Sequence, residues 1–480
     1  VARRDRDEPQ DALPIELGPV SNGETAPAPV SPVVAEAARR ARDLIDRSAR
    51  RRSMDRRAFL RTSMATAAVL FTLDACSSES NGDRGSGGRM RVPKDATTDP
   101  DVAKDVLGGK EFVFDVQTHF LELEPDGGLP SFPQSSCDAG DPVLCYSMER
   151  YMEELFLRSD TNLAVISAVP AIGVFDGALT PQHMGDVRRL AETLCGDERI
   201  VMHGQANPSV GRVEDRLEEM SRLVEQYEIG AWKVYTHAGG PGWYLDDHDA
   251  TAPQCGVAFL DRVRESGVKT VCVHKGFGNG SEYASPVDVG PAATSHPDIT
   301  FVAYHSGFES GNSEGAYDPN GGGVDRFIRT LDDNDIEPGA NVYAELGSTW
   351  FSVMRDPDRA AHVLGKLLKA VGPERILWGT DSIWYGTPQG QIEAFRAFEI
   401  TPEYQEQFGY PALTPEVKER ILGLNAAALY GVDPVTTRCD FTRDELADVR
   451  QALPSRPASY GPTTEQAVRA HIAEHGWVGF

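Results

Sequence analysis

From residue 111 onward the chain alternates short, wholly apolar runs with stretches of helical period, and this alternation restricts its fold more than any other feature. The runs fall at 111–119, 163–169, 199–206, 230–236, 268–274, 299–305, 341–347 and 375–381. They are continuous in Val, Ile, Ala and Phe, as strands covered on both faces are. Between them Val213, Leu217, Met220, Val224 and Tyr227 recur at three and four residues, as do His362-Val363, Lys366-Leu367 and Ala370-Val371. Such an alternation predicts an α/β fold, a closed parallel TIM (β/α)8 barrel, which takes roughly 250 residues. An open doubly wound sheet would carry a Gly-rich phosphate loop after its first strand. This chain has none there.

Four of the runs end in a residue able to bind a metal: Phe112-Val-Phe-Asp-Val-Gln-Thr-His119, Val271-Cys-Val-His274, Phe301-Val-Ala-Tyr-His305 and Ile376-Leu-Trp-Gly-Thr-Asp381. In a barrel these C-terminal ends meet at one mouth. Imidazole and carboxylate together make the ligand set of a catalytic ion that keeps a position open. In a period-2 strand Gln117 and His119 point to the same side and can share one ion. Two long loops, 120–144 and 306–322, fall on the same mouth, where lids and pockets form.

At this point the sequence resembles the amidohydrolase superfamily, in particular its amidohydrolase-related branch of hydrolases and decarboxylases. The resemblance rests on Gln117-x-His119, on His274 and His305 at strand ends, and on Trp378-Gly-Thr-Asp381-Ser. The closing segment Ile421-Leu-Gly-Leu-Asn425-Ala-Ala-Ala-Leu-Tyr430 is similar to the family's terminal helix. It implies a metal-dependent barrel over residues 109–432, with His119 and His274 as metal ligands and Asp381 as ligand and proton acceptor. His305 would be the acid/base or electrostatic partner. One divalent ion is implied, zinc first and manganese as the alternative. The family pattern on the first strand is His-x-His, and Gln117 stands at its first position. An amide oxygen is a weaker donor than imidazole, so Gln117 is a ligand candidate of lower affinity.

Three functions follow in order: a hydrolase in which metal-activated water attacks a carbonyl-type centre, a non-oxidative decarboxylase on the same scaffold, and a metal-free binding protein. Lys233 is expected to pair with Glu345 or with an anionic substrate. Glu345 is a candidate substrate contact, and Trp384 a candidate wall for an apolar one. His203 and His237 also end strands and suit structural or substrate-contact roles. His183, His248, His296, His362, His471 and His475 are expected at the surface.

The formal net charge of −26 disfavours non-specific binding to nucleic acid. The expected partner is a small-molecule substrate, with a homodimer left open. Residues 1–54 are rich in Pro, Ala, Arg and Asp, which predicts disorder, with a modest helix over 33–51 as the alternative. Residues 55–76 resemble a twin-arginine export signal: Arg56-Arg57-Ala-Phe59-Leu60 and an apolar stretch to Leu73. That stretch is shorter than the about 20 apolar residues of a membrane span. Leu73-Asp-Ala-Cys76 resembles a lipoprotein cleavage site, with Asp74 where a small apolar residue is usual. Export, with a lipid anchor at Cys76 as the one membrane contact, is the expectation. Residues 77–108 read as a flexible linker and 433–480 as a helical extension with helices over 444–452 and 464–475. Of the seven cysteines, Cys137 and Cys145 suit a small disulfide, and Cys272 a buried thiol.

Overall fold

The computed structural model describes residues 13–22, 25, 27, 29–82, 86–121, 146–170, 175, 178–195 and 198–437, with three single positions beyond. Among the described residues ten strands follow one another in chain order. Eight form one parallel sheet in sequential order: β2 (Phe114–Thr118), β3 (Leu163–Ile166), β4 (Ile200–Gln205), β5 (Ala231–Tyr235), β6 (Thr270–His274), β7 (Thr300–Tyr304), β8 (Val342–Glu345) and β9 (Ile376–Leu377). Each lies inside one of the apolar runs. The last strand returns to the first: Val116 N–H donates to Trp378 O at 2.9 Å, Asp381 N–H to Gln117 O at 2.9 Å, and Thr118 bridges Ser382. The barrel is therefore closed.

Its interior is filled by Phe114, Val116, Leu163, Val165, Ala231, Cys272, Val302, Tyr304 and Leu377. The residues between them, among them Ala164, Trp232, Val271, Val273, Phe301 and Ala303, face the helical layer. This two-residue alternation within continuously apolar strands is the packing a barrel requires. The helix Asn425–Tyr430 closes the base, where Tyr430 packs on Phe114 with ring centroids 5.5 Å apart.

N-terminal to the barrel the structure departs from expectation. Over Pro32–Arg51 a helix, α1, forms, as the alternative over 33–51 had it, where the composition favoured disorder. Ser31 caps it, Pro32 stands in its first turn, and Val34, Ala37, Ala38, Ala41, Ile45 and Ala49 make one buried stripe. The small residues let α1 pack on α3 (Ser63–Asn81), itself buried along Met64, Ala65, Ala67, Ala68, Leu70 and Leu73. A short α2 (Arg56–Leu60), capped by Asp55, joins them. Asp74 accepts from both Nε and Nη2 of Arg89, at 2.8 and 2.7 Å, and from Met90 N–H at 2.8 Å. This carboxylate ties α3 to β1 (Gly88–Met90), which pairs antiparallel with β10 (Phe398–Ile400).

The expected linker over 77–108 is thus ordered for most of its length, since β1 and α4 (Pro100–Leu107) bury Met90, Ala103 and Leu107. Among the described residues no helix is long and apolar enough to cross a membrane. The Cys137–Cys145 pairing, most of the loop 120–144 and the helices expected over 444–452 and 464–475 lie outside the described residues. Cys76, Cys255 and Cys272 are buried thiols.

Candidate metal centre at the barrel mouth

The strand ends bring Gln117, His119, His274, His305 and Asp381 into one buried cluster. A register shift in β2 between Asp115 and Thr118 separates the interior positions Phe114 and Val116 from Gln117 and His119, which turn to the mouth together. Gln117 Nε2 donates to Asp381 Oδ1 at 3.0 Å and lies 3.3 Å from His305 Nε2. His119 Nε2 is 3.4 Å from Asp381 Oδ1, and His305 Nε2 is 3.3 Å from His274 Nδ1.

Each imidazole is oriented through its outer nitrogen. His119 Nδ1 donates to Ser167 O at 2.7 Å, His274 Nε2 to Gly276 O at 3.1 Å, and His305 Nδ1 to Gly347 O at 2.7 Å. A carbonyl only accepts, so these contacts fix the protons on the outer nitrogens. The inner nitrogens of His274 and His305 then present lone pairs to one another, while His119 Nε2 faces Asp381. Burial, with neighbouring cationic and imidazole groups, pushes His274 well below the usual histidine range and His305 down to about 4, so both are neutral.

Asp381 is held below the ordinary carboxylate range. Burial alone would raise it, but contacts from His119, His305 and the Ser348 hydroxyl outweigh that. Ser348 Oγ donates to Asp381 Oδ2 at 2.5 Å and lies 2.7 Å from the Tyr385 hydroxyl.

The backbone is strained at the same place. His305, Ser306, Ser348 and Asp381 hold φ of 65°, 52°, 54° and 58°, the left-handed region that non-glycine residues seldom adopt. Strain of this kind collects at functional sites, where the surrounding fold enforces it.

No three His, Cys, Asp or Glu side chains among the described residues already surround one point in coordinating positions. The donor chemistry nevertheless fits a divalent cation. Lone pairs of His274 Nδ1 and His305 Nε2 face each other with no proton to share, which is repulsive until a cation stands near them. His119 Nε2 and Asp381 supply the nitrogen and carboxylate that complete such a set. Carbonyl contacts to the outer nitrogens are the outer support that metal-binding histidines carry. Gln117 Oε1 is buried without a hydrogen-bond partner. As the side chain stands, its Nε2 serves Asp381, while Oε1 lies against Gly347.

Of the expected substrate contacts, Trp384 stands at the mouth, its ring stacked 6.4 Å from that of His119. Lys233 and Glu345 are placed differently, as both are fully buried beneath the cluster. Lys233 Nζ sits 3.7 Å from the centroid of the Tyr304 ring. Glu345 accepts from His305 N–H at 3.0 Å and Gly347 N–H at 2.5 Å, so it holds the backbone that carries His305. Burial pushes its carboxyl up to about 8. A Cβ on Gly379 would overlap this carboxylate. His237 lies at the mouth, its ring 4.5 Å from that of His274. His203 is structural, between Ser167 Oγ at 3.1 Å and Tyr430 OH at 2.8 Å. His296 and His362 are buried, against expectation, because Ser295 and Tyr410 satisfy their ring nitrogens.

Sequence reasoning missed Asp115 and Ser348. Asp115 accepts from Gln117 N–H at 3.2 Å, Thr380 N–H at 3.0 Å and the Thr380 hydroxyl, stapling the two strand ends that carry Gln117 and Asp381. A second carboxylate two residues before Gln117 was the available signal. Ser348 has none, since only its left-handed backbone brings it to Asp381.

A family model described as amidohydrolase matches residues 153–432. The chain belongs to the amidohydrolase family. It is a metal-dependent enzyme, a hydrolase or a decarboxylase. The match includes His274, His305 and Asp381 and begins beyond Gln117 and His119. No curated protein matches the chain.

Several solved structures are similar in fold, three of them as follows. An uncharacterised TIM-barrel protein from Bordetella bronchiseptica is 15% identical with a TM-score of 0.43, over 66% of this chain and 99% of that one. A 5-carboxyvanillate decarboxylase from Sphingomonas paucimobilis is 12% identical with a TM-score of 0.39, over 68% and 100%. The 5-carboxyvanillate decarboxylase from Novosphingobium aromaticivorans, complexed with manganese and a nitrobenzoic acid, is 13% identical with a TM-score of 0.42, over 67% and 96%. Likenesses this distant bear on neither reaction nor substrate.

Proposed function

We propose that this amidohydrolase-family enzyme decarboxylates a small planar carboxylic acid without an oxidant, at a divalent ion held by His119, His274 and Asp381. The observation that carries this reading is the Gln117 amide. It donates to Asp381 rather than adding a further protein donor. An ion held by three protein donors would keep room for substrate oxygen, and His119, His274 and Asp381 are the residues that would hold it. This reverses the order expected from the sequence alone.

A divalent ion there would supply Lewis acidity, drawing charge from the substrate's oxygens. The chain supplies the rest. Trp384 beside His119 and Phe277 edge-on to His305 at 5.1 Å form flat walls that orient a planar ring and exclude water. The bond to the carboxylate carbon breaks, carbon dioxide leaves, and the carbon that keeps the electron pair takes a proton. The hydrogen-bonded row Tyr385–Ser348–Asp381 is the path for that proton.

Hydrolysis remains the second reading, favoured by Asp381 itself, a carboxylate at a strand end suited to accept a proton from water. The discriminating assay supplies zinc- or manganese-loaded protein with a panel of hydroxylated aromatic acids and their esters in ¹⁸O-water. Carbon dioxide release supports the proposal; ¹⁸O in the product without carbon dioxide would replace it with hydrolysis.

Export is also proposed, on Arg56-Arg57, Phe59-Leu60 and the apolar stretch after them. Lipidation of Cys76 would require α3 to leave the barrel, because this thiol is buried in the packed helix.

A further inference from the structure

Residues 13–22 run across the mouth with Leu17, Val20, Ser21 and Asn22 buried. Asn22 Nδ2 donates to Asp381 Oδ2 at 3.0 Å, so a side chain from outside the barrel reaches the candidate ligand. Four residues earlier, Gly18 O accepts from Arg355 Nη1 at 2.6 Å. Between these anchors lies a cavity of roughly 130 Å³, walled by Leu17 and Val20 on one side and by Phe277, Phe308 and Tyr385 on the other.

Arg355 borders this cavity and makes no ion pair within 4.0 Å among the described residues. Its other contact is the face of Phe351, with the guanidinium carbon 5.4 Å from the ring centroid. Phe351 stacks on Tyr385 at 4.0 Å, and Tyr385 leads through Ser348 to Asp381. A single row of side chains thus joins the guanidinium to the metal cluster. Burial lowers the guanidinium's affinity for its proton, while Tyr385 and Glu16, the latter on the segment itself, act in the opposite direction. Arg359, one turn on, also borders the cavity; its Nη2 donates to Asn312 O at 2.6 Å, and its backbone N–H to Asp356 Oδ1 at 3.3 Å. A half-buried guanidinium that meets a backbone carbonyl and an aromatic face, with no ion pair among the described residues, is suited to a carboxylate.

We propose that this cavity is the outer part of the substrate cleft, that Arg355 takes a second carboxylate of a planar dicarboxylic acid, and that residues 17–22 fill the cleft as an internal stand-in for that acid. The proposal rests on the decarboxylase reading for the inner carboxylate and adds the outer one. Asn22 occupies the space beside Asp381 where an ion-bound inner group would lie, and Gly18 O the place where the outer group would accept from Arg355. The segment must leave before substrate enters.

The test uses the full chain loaded with manganese, titrated calorimetrically with isophthalate, which has two carboxylates, and benzoate, which has one. Val20→Asp with Asn22→Asp places like charge against Asp381 and should expel the segment, exposing Leu17 to chymotrypsin. This variant is expected to bind isophthalate at least about tenfold more tightly than the unaltered chain. Adding Arg355→Met should remove that gain and leave benzoate affinity unchanged. A synthetic peptide of residues 13–22 should compete with isophthalate for the expelled variant, a check that leaves Arg355 intact. Equal isophthalate affinity with and without the expelling substitutions, a gain that survives Arg355→Met, or a peptide that fails to compete would overturn the proposal. Tight isophthalate binding without carbon dioxide release would sink the decarboxylase reading and leave the cleft assignment standing.

Discussion

His119, His274 and His305 each commit the outer ring nitrogen to a backbone carbonyl, and the remaining nitrogens converge beside Asp381. From this arrangement His274→Ala is expected to lower metal affinity about 100-fold or more while the circular dichroism spectrum stays that of a folded barrel. Unchanged metal stoichiometry in that variant would end the ligand assignment. Gln117→His replaces an amide that serves Asp381 with an imidazole that serves the ion, so metal binding should tighten. The rate should fall, because a further strong donor reduces the Lewis acidity left for substrate. Identical metal titrations and kinetics for variant and parent would remove Gln117 from the site. Asp115 answers three donors from the two strand ends it joins. Asp115→Ala leaves those donors buried and unpaired, at a cost of about 2–4 kcal/mol. Chemical denaturation measures that loss, and a change below about 0.5 kcal/mol would show that the staple does not act.

At the scale of elements, α1 and α3 make one packed pair on the side of the barrel, joined through alanine-lined faces. If α3 stays docked, Cys76 is shielded, and burial raises its pKa further. Maleimide labelling mapped by mass spectrometry should find Cys76 slow in the native chain and fast in Ile45→Asp, which puts a charge into the α1–α3 seam. Equal rates would mean that the pair does not hold. Export makes the opposite demand on the same residues, since a signal must be unfolded to be read. Replacing Arg56 and Arg57 together with Lys should retain the protein in the cytoplasm, as fractionation would show; normal export of the double variant would refute the signal.

Across the whole molecule, the barrel was legible because both faces of its strands are buried, which leaves runs that composition alone can mark. The convergence of His119, His274, His305 and Asp381 followed from strand ends meeting at one mouth. What the sequence hid was decided by tertiary contact. The order over residues 32–51 and 86–107 depends on faces that the barrel supplies, and the bulge that turns Gln117 and His119 to the mouth leaves no mark in the pattern. Ser348 reaches Asp381 through a left-handed backbone that its residue type does not announce. Asn22 lies 359 positions from the aspartate it touches, and no local signal spans that distance. One ion at the strand ends is the centre of the proposed chemistry. Anomalous diffraction from crystals of the full chain soaked in zinc tests it directly. The expected result is a single strong peak roughly 2.0–2.2 Å from His119 Nε2, His274 Nδ1 and an Asp381 oxygen. Zinc bound only elsewhere, with the Gln117 amide still donating to Asp381, would contradict it.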